Sequence, residues 1–367
     1  MKKIYLKLSA IILPLFILTI ISCSHRTLNF QEFSNNNYNT IFYETEGKPT
    51  LLIQKELFCK WGVVTLTVRS NTKWEDMGLA HLFEHLILKK LRKKKQKFLI
   101  SAHTNEHSMT FKCEFLPGNT KQALTLLFEI IFSIQAWSQK EILASLSVIK
   151  YEKLQNLDAN FPRNNSYQES LVKFQKKNFI PEQICIYIIS PYDINNIKPF
   201  IYSLKIDNFY KADKIAKKTN ISLGLKQTNK SISFIGPGLK KGTFQYFKFL
   251  TYYMNIFINH DKKANVNCYW QINPQYTKFV FFPKKNLKKI KNQILRKLTV
   301  RNIKKSTMLK NKIFLDIKKK LLNDYYYRFA DKNLRITSIT KAWTGNYLKD
   351  IINYPYLLKK TKIEYFI

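Results

Sequence analysis

The chain has 367 residues, of which 62 are Lys or Arg and 24 are Asp or Glu, so its formal net charge is +38 at pH 7. Single domains usually hold about 100 to 200 residues, so this length predicts two domains with cores of their own. The basic residues are spread along the chain, and no helix-turn-helix, RNA-binding aromatic strand or zinc-finger spacing accompanies them. The composition therefore favours a solvated basic surface and argues against a nucleic-acid-binding protein.

Residues 1–22 have the layout of a secretory signal peptide. Three lysines precede an apolar run that is shorter than the roughly 20 residues needed to span a membrane. The run ends in "ISCS", which resembles the bacterial lipobox, so we expect Cys23 to carry lipid and residues 23–38 to form a tether. An uncleaved signal anchor is the alternative. A lipid anchor predicts attachment to a membrane of the bacterial cell envelope, on its periplasmic face or at the cell surface.

From residue 39 onward, the apolar patterns predict an α+β fold of two related units. Each unit is expected to have a mixed or antiparallel sheet with helices packed on one face, and the second unit is abbreviated. A polar stretch separates a first domain at residues 39–228 from a second at 229–367. The predicted strands cover residues 40–45, 49–55, 60–70, 101–117, 183–190, 232–238, 265–273 and 276–283, and the predicted helices cover residues 74–91, 119–137, 138–157, 195–205 and 244–258, with further helices from 287 onward.

The helix predicted over residues 74–91 contains two histidines and a glutamate in an otherwise apolar segment. His81 and His85 are four residues apart, so their imidazoles share one helix face and can reach one metal ion. Glu84 adjoins that face. The helix is apolar nearly all round and so predicted to be buried, where an unpartnered polar group costs about 1 to 3 kcal/mol. Histidines bonded to backbone carbonyls are the alternative, but this spacing rarely arises by chance among six histidines, and it favours a metal site.

The residues "HLFEH" at 81–85 form an HxxEH signature, and the sequence resembles the inverzincins, the pitrilysin and mitochondrial-processing-peptidase family of zinc metallopeptidases. The stretch "SAHTNEHSMTF" is similar to the active-site strand of that family, in which Ala102 and Thr104 match. The resemblance implies Zn²⁺ as the cofactor and an extended peptide that adds to this strand by backbone hydrogen bonds. His103 and His107 lie on the same stretch, and we interpret them as substrate-contacting or surface residues.

The resemblance implies a third zinc ligand from a glutamate on the helix over 138–157, whose N-cap is predicted at Ser138. Spacing alone does not choose between Glu141 and Glu152, which lie on similar faces. The resemblance assigns Glu152, and it also indicates that Ser145 replaces a second family glutamate. Two imidazoles and one carboxylate leave a fourth position for water, and Glu84 would act as the general base on that water.

In the second unit, the resemblance assigns substrate binding to Lys262 and Tyr269. The family has arginine in place of Lys262, and lysine keeps the charge but lacks the bidentate fork. A tyrosine packed in a core strand is an equally good interpretation of Tyr269. The family encloses peptides in a clamshell of such units, which implies a homodimer or a related peptidase-like subunit as partner.

These features predict a zinc endopeptidase acting on peptides or unfolded protein segments. The substitutions at Ser145 and Lys262 also fit an alternative, a non-catalytic peptide-binding subunit that supports an active partner. The basic block over residues 89–95, which follows the HxxEH signature, predicts either a solvated helix end or a preference for acidic peptides near the site.

Overall fold

The structure is a computed structural model that describes residues 40–44, 48–57, 59–70, 74, 77–93, 98–133, 136–153, 167–191, 197–203, 224–227, 231–239, 243–259, 266–272, 276–283 and 311–361. The described residues fall into two compact units, one within Gln31–Lys218 and the other within Thr219–Ile367. The predicted signal peptide, Cys23, the tether, Lys262 and the predicted helix at 287 lie outside the described residues. Within the described part of the chain, no helix is both long and apolar enough to cross a membrane.

The first unit is built on a six-stranded mixed sheet. Its strands are β1 (Thr40–Tyr43), β2 (Thr50–Lys55), β3 (Gly62–Arg69), β4 (Phe98–Thr104), β5 (Ser108–Phe115) and β6 (Ile184–Ser190). The order across the sheet is β1-β2-β6-β3-β5-β4, in which β2 and β6 run parallel and the other neighbours run antiparallel. This order leaves β4 at one edge.

The helices of the first unit are α1 (Met77–Lys93), α2 (Thr120–Phe132), α3 (Gln139–Lys153), α4 (Tyr167–Asn178) and α5 (Ile197–Ser203), with a short 3₁₀ helix at Pro181–Gln183. They share one apolar core with alternate residues of the strands, because successive strand side chains point to opposite faces. In the centre of the sheet, Val64, Leu66 and Val68 of β3 belong to this core. The core fixes α1 against the sheet, next to β4.

The second unit has a four-stranded antiparallel sheet in the order β7-β8-β10-β9. Its elements are β7 (Gly224–Gln227), β8 (Ile232–Pro237), α6 (Phe244–Asn259), β9 (Val266–Ile272), β10 (Tyr276–Pro283), α7 (Asn311–Ala330), α8 (Lys332–Thr344), α9 (Leu348–Ile352) and α10 (Tyr354–Lys360). Phe244 stacks on Tyr347 with ring centroids 4.4 Å apart, and its backbone N–H donates to the buried Asp350 carboxylate at 2.9 Å. That carboxylate satisfies a backbone donor at the start of α6.

The predicted α+β class is confirmed. The stretch over residues 101–117, predicted to have strand character, contributes to two strands, β4 and β5. The Asn105 side chain accepts hydrogen bonds from the backbone N–H groups of His107 and Ser108, both at 2.9 Å. This local turn reverses the chain between β4 and β5.

Candidate metal centre

Helix α1 is buried on most sides, and its open side carries the two histidines. Leu82 and Leu86 are fully buried in the core. The His81 and His85 side chains keep 19% and 15% of their surface exposed. Glu84 is buried beside them, at 6% exposure. The sequence thus folds into a helix that hides its apolar residues and leaves both imidazoles at a surface.

Three ligand-type atoms from α1 and α3 form a nearly equilateral triangle. His81 Nε2 and His85 Nε2 are 3.1 Å apart. Glu152 Oε2 lies 3.4 Å from His81 Nε2 and 3.3 Å from His85 Nε2. Tetrahedral zinc with bonds of about 2.0 to 2.1 Å would separate its ligand atoms by about 3.3 to 3.4 Å. The donor set and its spacing therefore fit a zinc ion.

Glu84 belongs to the same cluster without being part of the triangle. The ligand-type atoms of His81, Glu84 and His85 all lie within 4.8 Å of one another. Because Glu84 is adjacent to His85 in the helix, its carboxylate is held next to the place where a metal would bind. A carboxylate in that position can accept a proton from a neighbouring water.

A capping box begins helix α3, the helix that carries Glu152. Ser138 Oγ accepts a hydrogen bond from Glu141 N–H at 3.2 Å, and Glu141 Oε2 accepts one from Ser138 N–H at 3.1 Å. Lys93 Nζ, at the end of α1, lies 3.1 Å from Glu141 Oε1. The Ser138 backbone N–H and the Lys93 ammonium lower the pKa of Glu141 to about 2. Glu141 therefore secures the helix start, while Glu152 reaches the histidines.

Replacing Ser138 with Ala is expected to lower the free energy of unfolding by about 1 kcal/mol, because the first turn of α3 loses its cap. Urea denaturation at pH 7 measures this change. Ser147→Ala on the same helix is the matched control, since Ser147 Oγ donates to the Ala144 carbonyl at an exposed position and caps nothing. Equal effects of the two changes would contradict the capping role.

The contribution of the Glu141 carboxylate to this cap depends on pH. Folding lowers the pKa of Glu141 from 4.5 to about 2, so its stabilisation is present above pH 4.5 and is lost as the pH falls towards 2. The difference in unfolding free energy between the wild type and Glu141→Gln should therefore shrink over that window.

The histidines open onto a cleft of about 950 Å³. The cleft is lined by His81, Glu84, His85, Leu88, Lys89, Arg92, Lys93, Ala102, His103, Thr104, Ala144, Ser145, Val148 and Glu152. The predicted substrate-contacting residues Ala102 and Thr104 thus lie on the same cleft as the three ligand-type residues. They belong to the edge strand β4, and no described strand pairs with its outer side. An edge strand presents backbone donors and acceptors that an extended peptide can bind.

Helix α3 forms one wall of the cleft, and two of its lining residues, Ala144 and Val148, were not predicted from the sequence. Ala144 and Val148 precede Glu152 by eight and four residues, so all three lie on one helix face. That spacing could have found both residues once Glu152 was assigned. Ser145 is buried and lines the cleft without a charge.

Trp74 is a further residue that sequence reasoning missed. Its indole Nε1–H donates to the Asn105 carbonyl at 2.7 Å, and its backbone N–H donates to the Glu106 carbonyl at 3.1 Å. The indole ring lies 5.5 Å from the ring of Phe174 in α4. Trp74 therefore holds the chain just before α1 against the turn that ends β4, and it fixes the histidine helix relative to the edge strand.

The structure also bears on the sequence interpretations of His107 and Tyr269. The interpretation of His107 as a surface or substrate-contacting residue is wrong, because its side chain is buried in the β4–β5 turn and does not line the cleft. Tyr269 lies on the edge strand β9 of the second unit and is 44% exposed, with its ring stacked 5.2 Å from Phe282. It is not a core tyrosine.

Comparisons with known proteins support the fold. No protein-family profile and no curated protein matches the chain. A protease from Helicobacter pylori has 12% sequence identity and a TM-score of 0.65, over 90% of this chain and 95% of the other. Pitrilysin has 11% identity and a TM-score of 0.66, over 92% of this chain and 44% of its own. The inactive domain of an M16 peptidase from Pseudomonas fluorescens has 11% identity and a TM-score of 0.59, over 89% of this chain and 93% of the other. The chain therefore has the fold of M16-type peptidases.

Proposed function

We propose that this protein is a zinc-dependent endopeptidase that hydrolyses peptides or unfolded protein segments. The observation that carries the proposal is the triangle of His81 Nε2, His85 Nε2 and Glu152 Oε2, with edges of 3.1 to 3.4 Å. The shared fold supports the proposal less strongly, because one protein with that fold is an inactive domain. The triangle of ligand-type atoms is the feature by which this chain would differ from a protein that has the same fold but no metal site.

The ligand set is that of a catalytic zinc site rather than a structural one. Structural zinc sites close the metal with four protein ligands, whereas catalytic sites use three and keep one position open. Here two imidazoles and one carboxylate form the triangle, which faces a cleft large enough for a peptide. Glu84 stands beside it as a fourth group with a separate role.

The chemistry divides between the metal and the residues of the chain. Bound zinc would supply Lewis acidity, which polarises a peptide carbonyl and makes water acidic near neutral pH. Glu84 takes a proton from the attacking water, whose oxygen bonds to the carbonyl carbon of the peptide. The C–N bond then breaks, and Glu84 passes the proton to the leaving nitrogen. The backbone of β4 aligns the peptide, and the small side chain of Ala102 leaves room for it.

The cellular setting and the partner are part of the same proposal. The "ISCS" motif supports a lipid anchor on Cys23 and a place at the bacterial cell envelope. The resemblance to the pitrilysin and mitochondrial-processing-peptidase family, which encloses peptides in a clamshell of such units, supports assembly as a homodimer or with a related peptidase-like subunit. Lys262 and Tyr269 are the residues of the second unit proposed to bind substrate.

A second candidate is a non-catalytic subunit that binds peptides and supports an active partner. The observation in its favour is the uncharged Ser145 in the cleft, where the resembling family has a glutamate. This candidate predicts peptide binding without hydrolysis by the chain alone.

Zinc content and peptide hydrolysis test the proposal together. We expect elemental analysis of the full chain, purified in detergent, to find one zinc per chain, and a mixed fluorogenic peptide library to be cleaved. Removal of zinc with a chelator should abolish cleavage, and added zinc should restore it. Zinc with no cleavage would favour the non-catalytic subunit. No zinc after reconstitution would overturn both the metal site and the peptidase.

A further inference from the structure

We infer that the cleft selects acidic peptides through two cations, Lys89 and Arg92, which extend the histidine face of α1. This inference rests on the proposed function, because it names the substrate class of the same site. His81, His85, Lys89 and Arg92 are separated by four, four and three residues, so they follow one helix face. All four line the cleft.

Lys89 and Arg92 lie at different distances from the histidines, where the reacting bond is proposed to bind. With a rise of about 1.5 Å per helical residue, Lys89 lies about 6 Å and Arg92 about 10 Å beyond His85 along the helix axis. An extended peptide advances about 3.3 Å per residue. A peptide that runs along α1 would therefore meet the two cations with side chains about two and three positions from the scissile bond.

The structure separates the basic block into two sides of the helix. Lys90 faces away from the cleft, where its ammonium lies 4.0 Å above the Trp137 ring and 3.5 Å from the Ala136 carbonyl. Lys93 lines the cleft but is paired with Glu141. Among the described residues, neither Lys89 nor Arg92 forms an ion pair with a carboxylate. These two cations remain available to a ligand.

The charges of the cleft favour an acidic occupant. Glu84 and Glu152 are the carboxylates among its lining residues, and both belong to the metal centre. On the facing helix, the lining residues Ala144, Ser145 and Val148 carry no charge. A glutamate or aspartate near α1 would therefore gain cationic partners without facing a competing carboxylate, whereas a basic peptide would be repelled.

The test compares two peptides that differ only in Glu or Gln at the second and third positions on each side of one cleavable bond. Their dissociation constants are measured with the zinc-loaded Glu84→Gln variant, so the measurement needs no turnover, and kcat/KM is measured with the wild type. We expect the Glu peptide to bind about tenfold more tightly, because two exposed ion pairs contribute about 0.2 to 1 kcal/mol each. Added salt should reduce the preference.

Two double variants separate this cleft from the general charge of the protein. In the Glu84→Gln background, Lys89→Gln with Arg92→Gln should reduce the preference to less than about twofold. The control, Lys90→Gln with Lys173→Gln, removes the same two charges from positions that do not line the cleft, and it should keep the preference. Equal binding of the two peptides, or equal loss in both double variants, would overturn the inference. A preference in binding without hydrolysis by the wild type would instead overturn the proposed function alone.

Discussion

Replacing Glu84 with Gln is expected to lower kcat/KM for peptide hydrolysis by roughly 10³-fold while the protein keeps its zinc. Glutamine has the shape of glutamate but cannot accept a proton from water. The three ligand-type atoms of the triangle come from His81, His85 and Glu152, so the metal should remain bound. Steady-state kinetics and elemental analysis on one preparation measure both effects.

The control for Glu84 is another glutamate that lies away from the cleft. Glu169→Gln on α4 removes the same charge from an exposed position and should leave both hydrolysis and zinc content unchanged. Full activity in Glu84→Gln would contradict the role of general base. Loss of zinc together with activity would show that Glu84 is a ligand instead.

Replacing Glu152 with Gln is expected to weaken zinc binding by more than about 100-fold, because changes to groups that only orient metal ligands already cost about 10- to 100-fold. Glu152 Oε2 is the carboxylate atom nearest to both imidazoles, at 3.3 and 3.4 Å. An amide oxygen in its place carries no net charge to offset the cation. Competition with a chelator of known zinc affinity gives the dissociation constant for each variant.

Glu141→Gln is the matched control for Glu152, since both glutamates lie on α3 and both are alternatives from the sequence. Ser138 and Lys93 bind Glu141 at the start of the helix, so this variant should keep its zinc affinity. If Glu141→Gln lost zinc and Glu152→Gln kept it, the assignment of the third ligand would be reversed.

The choice between these glutamates shows what spacing can and cannot predict. Glu141 and Glu152 are eleven residues apart, close to three turns of 3.6 residues, so helical periodicity puts them on one face. Which of the two glutamates lies level with the histidines depends on how α3 packs against α1. Helical periodicity carries no information about that packing. One local signal was available, because Ser138 and Glu141 form the S-x-x-E pattern of a capping box.

The histidines of β4 and its turn show a second limit. His103 and His107 are four residues apart and would share a face of a continuous strand, yet His103 is exposed on the cleft and His107 is buried. The Asn105 side chain forms the turn between them, so the alternation starts again in β5. The sheet order is equally inaccessible to local patterns, because β6 enters between β2 and β3 from far along the sequence. The HxxEH helix was predictable because its histidines, its glutamate and its apolar residues are all local.

The metal triangle draws its donors from two helices that are distant in sequence, with both imidazoles on α1 and the carboxylate near the end of α3. An ion bound there would cross-link the two helices in the folded state only, and the unfolded chain would gain nothing comparable. A ligand at 100 times its dissociation constant adds about 2.7 kcal/mol to the stability of the form that it binds. Loss of zinc would therefore make this protein more susceptible to proteolysis and would also abolish its proposed activity. Zinc supply would then set both the amount of the protein and its rate of hydrolysis.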